Sequence, residues 1–109
     1  MRPVFGTANT STSVTAVQLY NTDTNGRMYA ISVKARVGNS SNAMYFGFSS
    51  TVSSASGWEL TPGDFKGITF SEINSNQSAN QNATVKATSA WVNAASTTDQ
   101  LDWQILLEN

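Results

Sequence analysis

Seven carboxylates are the first candidates for chemistry in this chain: Asp23, Glu59, Asp64, Glu72, Asp99, Asp102 and Glu108. There is no His and no Cys, which removes imidazole catalysis, thiol nucleophiles, disulfides and zinc fingers. Glycoside hydrolysis by paired carboxylates needs two of them facing each other across a cleft. These seven are scattered over expected turns and outer strand faces, so no enzyme and no catalytic residue is expected. Asp64 and Asp99 fall in turns, where a carboxylate ordinarily bonds nearby backbone amides. Asp99 and Asp102 could share a calcium ion, but the dense oxygen-ligand spacing of a calcium loop is absent, and no metal or other cofactor is expected. The Asn-x-Ser/Thr triplets at Asn9, Asn39, Asn76 and Asn82 are a by-product of composition and are given no function.

The aromatic residues carry more information. Trp103 alternates with Leu101, Ile105 and Leu107 and belongs to a core face. Trp58 follows a glycine at a loop exit, Trp91 stands out of phase with Ala90 and Val92, and Tyr45 opposes Met44 and Phe46. Tyr45 is either a cross-strand packing neighbour or an exposed aromatic, and Trp58 and Trp91 are either core-edge residues or exposed ones; exposed aromatics of this kind serve interfaces or stack on sugar rings.

The elements that must position these side chains are strands. At 109 residues the chain can bury one core, and it is polar without being strongly charged: 12% charged residues, net charge -1. The six basic residues form no stripe, so neither nucleic acid nor a membrane surface is an expected partner. Met1–Thr12 reads as an extended N-terminal arm anchored by Val4 and Phe5, which either cover the base of the core or reach a neighbouring subunit. Ser13–Asn109 reads as the β domain. Ser13–Tyr20 is a strand, Asn25-Gly26 has the chemistry of a positive-φ turn, and Met28–Val37 is the clearest strand, with Tyr29, Ile31, Val33, Ala35 and Val37 on one face and Lys34 and Arg36 on the other.

Ala43–Phe48 buries Met44, Phe46 and Phe48, and a serine-rich loop leads to Gly57-Trp58-Glu59-Leu60. Thr61-Pro62-Gly63-Asp64 then has the residues of a type II turn. Phe65–Ile73 is a strand in which Gly67 suggests a bulge or a close backbone approach. Asn74–Asn82 is a surface loop, Ala83–Ala87 a weak strand, Ser89–Ala94 a further one, and Leu101–Leu107 the last. The expected fold is all-β: a single antiparallel β-sandwich of jelly-roll-like kind with an extended arm.

Two stretches, AMYFGFSSTVSSASGWELTPGDF and SAWVNAASTTDQLDW, resemble the small β-sandwich virion proteins of tailed bacteriophages. The shared pattern is a hydrophobic-aromatic-hydrophobic-Gly strand, a serine-rich turn, Gly-aromatic-x-Leu-x-Pro-Gly, an aromatic strand, an acidic turn and a final strand with Trp. It covers the second half to two thirds of the chain. The resemblance implies a capsid decoration or cement protein, a homotrimer bound to the major capsid protein on the virion surface and synthesised in the host bacterial cytoplasm. On that reading Arg2, Val4, Phe5, Tyr45, Trp58 and Trp91 make subunit or capsid contacts. The alternative is a carbohydrate- or receptor-binding module of a head or tail fibre, with Tyr45, Trp58 or Trp91 stacked on a glycan.

Overall fold

Among the described residues eight strands pair as a folded ribbon, the first with the last and inward from there. They are β1 (Arg2–Asn9), β2 (Val17–Gln18), β3 (Met28–Ala35), β4 (Met44–Gly47), β5 (Trp58–Leu60), β6 (Phe65–Thr69), β7 (Trp91–Ala94) and β8 (Gln100–Leu107). In the computed structural model, which describes residues 2–10, 16–23, 25–40, 43–70, 85–94 and 99–108, two antiparallel four-stranded sheets form. The first has the order β1-β8-β3-β6 and the second β2-β7-β4-β5. This nested pairing is the winding of a jelly roll. The protein is therefore an all-β antiparallel sandwich, as the alternation of its strands leads one to expect.

The core lies between the sheets. Ile31, Val33 and Ala35 on β3 and Leu101, Ile105 and Leu107 on β8 face Met44 and Phe46 on β4 and Val92 and Ala94 on β7, all of them buried. β8 is the central staple, because it pairs along its whole length with β1 on one side and with β3 on the other.

Several expectations need correction. Arg2–Asn9 is extended, but it is an edge strand rather than an arm before the first strand, with every residue from Arg2 to Asn9 opposite one in β8. Extension without periodic apolar residues looks the same in a sequence whether or not a partner strand is at hand. The face assignment of β3 holds only from Ile31 onward. The register against β8 shifts between Met28 and Ala30, leaving Tyr29 as the extra residue of a bulge. Met28 is thereby buried on the same side as Ile31, whereas Val37 lies beyond the strand and is exposed. The bulge expected at Gly67 is absent, since Gly67 sits in register opposite Ser32. Gly26 closes a turn by donating its N–H to the Asp23 carbonyl at 3.3 Å, but it has no positive φ; of the described glycines only Gly63 does.

Ser13–Thr15 of the expected first strand, Ser71–Ile73 of the expected strand Phe65–Ile73, the loop Asn74–Asn82, and Ala83 and Thr84 of the expected weak strand lie outside the described residues. From there the chain passes through a short 3-10 turn, Ala87–Ser89, into β7.

Candidate functional site

Strand alternation sends the anticipated contact residues to different places. Val4 is half-buried and packs against the core, so its ordinary role is to close the sandwich under β1. Arg2 lies 3.8 Å from the Asp23 carboxylate in an exposed ion pair. Phe5, one residue from Val4 and so on the opposite face, is 76% exposed. Tyr45 and Trp91 are half-buried on the outer face of the second sheet, where Tyr45 stands opposite Asn93 and Trp91 opposite Gln18.

That outer face is partly covered by the chain itself. The serine-rich loop after β4 folds back so that Val52 is only 2% exposed, held where Gly47 and Gly57 have no side chains. A Cβ on Gly47 would meet Val52 Cγ2 at 2.8 Å, and one on Gly57 would meet it at 2.7 Å. Asn93 Nδ2 ties the loop down by donating to the Val52 carbonyl at 3.0 Å. The glycine and serine content that reads as a turn thus also builds a lid.

The outer face of the first sheet is different. A groove of about 410 Å³ runs across it between Phe5 on β1 and Phe65 on β6, with Ser32, Lys34, Asp102 and Gln104 among its lining residues. A second, smaller depression of about 320 Å³ adjoins it and shares Ser32 and Gln104. Phe65 is 66% exposed, and its ring lies over Gly67, within 3.5 and 3.6 Å of where a Cβ would stand. The absent side chain at Gly67 therefore seats a rim aromatic rather than making a bulge. Phe5, Gln104, Ser32 and Gly67 form one row across the four strands, and Thr7, Asp102, Lys34 and Phe65 form the next.

A third feature closes one side of the sandwich. Trp58, on the three-residue edge strand β5, stacks on Phe46 with ring centroids 5.8 Å apart, and Phe48 meets both rings edge-on. Phe48 also meets Phe70, beyond the end of β6, edge-on at 5.6 Å. Lys66 of β6 reaches across the gap between the sheets to place Nζ 5.1 Å from the centre of the Trp58 ring. Trp58 nevertheless stays 42% exposed.

The carboxylates go to structural partners. Asp64 Oδ2 accepts from the Thr61 hydroxyl at 2.8 Å and from its N–H at 2.9 Å, which holds the Asp64 carboxyl below its ordinary range. Asp99 is buried and accepts from the Ser40 N–H at 2.8 Å and the Ser40 hydroxyl at 2.9 Å. Asp102 bonds to Arg36 instead, so the two aspartates considered for calcium are engaged by different partners. Among the described residues no group of three or more His, Cys, Asp or Glu side chains is placed to hold a metal ion. Also among them, no helix is long and apolar enough to cross a membrane.

Phe65, Lys34, Gln104 and Ser32 were not among the anticipated contact residues, although their phase was readable. Phe65 is out of step with Ile68 and Phe70 and therefore belongs on the solvent face. No family model matches the chain, and no curated protein matches it.

Proposed function

We propose that this chain is a non-enzymatic virion structural protein, a decoration or cement protein that bridges neighbouring capsid subunits as a homo-oligomer. The virion part of the reading rests on the resemblance of Ala43–Phe65 and Ser89–Trp103 to the small sandwich proteins of tailed phages. The contact part rests on one observation: Trp58 is exposed at a sheet edge, yet its ring is already immobilised by Phe46, Phe48 and Lys66. A held tryptophan loses little rotamer freedom on docking, and Trp is the residue type most enriched among binding hot spots. The short strand β5 also offers an edge that another backbone can meet. A trimer presenting three such contacts would gain avidity that one modest contact lacks.

Light scattering of the full chain, followed by sedimentation with capsids lacking it, tests the reading. A trimer that cosediments to a saturable level, with Trp58→Ala sharply reducing either assembly or capsid binding, is the expected outcome. A monomer that stays in the supernatant would overturn it.

A further inference from the structure

From the outer face of the first sheet, a surface separate from the Trp58 edge, we infer a binding site for a short acidic oligosaccharide, one that carries a carboxylate. Phe5 and Phe65 rise from opposite edges of the sheet, on strands separated by three inter-strand steps, or about 14 Å. That separation suits a chain of several sugar rings whose apolar C–H faces lie on the two phenyl rings. Between them the lining is mostly apolar, with a few polar groups set into it. Ser32 supplies a hydroxyl and Gln104 an amide that both donates and accepts, which is the mixed hydrogen bonding that vicinal hydroxyls require. The groove volume of about 410 Å³ falls within the range of small-ligand sites, about 300–1,000 Å³.

Size argues against a second copy of the chain as the occupant. Three of the sheet's strands are eight residues long and β6 five, so the face between the outer strands covers at most roughly 14 by 27 Å, or about 380 Å², still short of the roughly 800 Å² per partner in a stable protein interface. Charge selects among sugars. The second row of the groove carries Lys34 and Asp102, and Asp102 is already claimed by Arg36 in a pair 3.0 Å apart. Lys34 has no salt-bridge partner among the described residues, so this end of the groove holds one positive charge in excess on a protein of net charge -1. A single ligand carboxylate beside Lys34 balances it. A polyphosphate backbone would bring more negative charge than one lysine can match.

The test uses the full chain and four probes: trigalacturonate and sialyllactose as acidic saccharides, maltotriose and lactose as neutral ones. Calorimetry should show at least one acidic saccharide binding about tenfold more tightly than both neutral ones, and Phe5→Ala and Phe65→Ala should each weaken it by about tenfold or more. Both phenylalanines are exposed, so the thermal midpoint should stay near that of the parent, separating lost binding from lost folding. Lys34→Gln should erase the preference for acidic over neutral sugar. Trp58→Ala should leave sugar binding unchanged, so failure of the decoration reading and failure of this one are distinguishable. No binding of either acidic saccharide at millimolar concentration, equal binding of the neutral pair, or indifference to both phenylalanine substitutions would overturn the inference.

Discussion

Arg36 grips Asp102 with two nitrogens: Nε lies 3.2 and 3.0 Å from the two carboxylate oxygens, and Nη2 lies 3.0 Å from Oδ1. Thr7 donates its hydroxyl to the same Oδ1 at 2.7 Å, so the pair joins the end of β3 to β8 and β1. The Arg36 hydrogen bonds are the largest cause holding the Asp102 carboxyl below its ordinary range.

The pH dependence follows from that direction. Because the folded chain favours ionised Asp102, the resulting stability is present above the ordinary aspartate value and is lost as pH falls through the lowered folded value. Asp64, lowered by its bonds to Thr61, acts in the same sense. Both sites are solvated, so each contribution is small. Urea midpoints taken from about pH 6 down to about pH 2 should fall in the parent and fall less steeply in Asp102→Asn, with Asp64→Asn adding to the flattening. If the two single variants track the parent over that range, these carboxylates do not carry the acid sensitivity.

The turn between β5 and β6 offers a sharper test. Gly63 has φ +92°, and its N–H donates to the Ala35 carbonyl at 2.9 Å while Asp64 N–H closes the turn on the Thr61 carbonyl at 2.9 Å. Gly63→Ala should therefore cost about 1–2 kcal/mol through backbone strain. Nothing bulky crowds the site, since the nearest atom to an added Cβ is Val37 Cγ2 at 3.7 Å. Urea unfolding should show the whole loss in the midpoint, and a neutral Gly63→Ala would refute the strain argument.

How much of this was legible depends on whether the determinant is local. Pro62-Gly63 fixes its own turn, and the phases of Leu101–Leu107 and Ile31–Ala35 fix their inward faces, so these were readable. The bulge at Tyr29 was not, because it is set by how β3 meets β8, and one extra residue reverses the side on which Met28 falls. β1 is hidden for a related reason: its Gly, Thr and Asn residues have no apolar stripe, and its strand character comes from pairing with β8. The glycines are hardest. Gly47 reads as a strand residue, Gly57 as a loop exit and Gly67 as a bulge or close backbone approach, but each leaves room for a specific side chain, Val52 or Phe65, that no spacing rule identifies.

The aromatic seam predicts an asymmetry between neighbours. Phe46 is wholly buried beneath Trp58, so Phe46→Ala should cost about 3–5 kcal/mol, a large share of the 5–15 kcal/mol typical of a native protein. Trp58→Ala removes a ring already partly in water and should cost distinctly less. Chemical denaturation of the two variants checks the order, and an equal or reversed order would mean that Trp58 is the true core residue and a poor candidate for an interface.

The lid over the second sheet can be tested by paired substitutions at the glycines that admit Val52. At Gly47 an added methyl meets only Val52 closely, its next neighbours being Val52 Cβ at 3.5 Å and the Gly57 backbone at 4.0 Å. At Gly57 it meets Val52 at 2.7 Å but also Tyr45 Cβ at 3.0 Å and the Phe46 carbonyl oxygen at 3.2 Å, and the carbonyl is fixed in the β4 ladder. Gly47→Ala and Gly57→Ala should both destabilise, by about 1–3 kcal/mol as overpacking does. Val52→Ala, itself destabilising, should relieve the Gly47→Ala clash, so that the double variant is more stable than the sum of the single changes predicts. The same cycle with Gly57→Ala should recover little, because its contacts with Tyr45 and Phe46 remain. A coupling of about 1 kcal/mol in the first cycle and near none in the second is the expected result. Full rescue in both cycles would mean that the β4 backbone yields to the loop, and the lid would then be adaptable rather than keyed to its glycines.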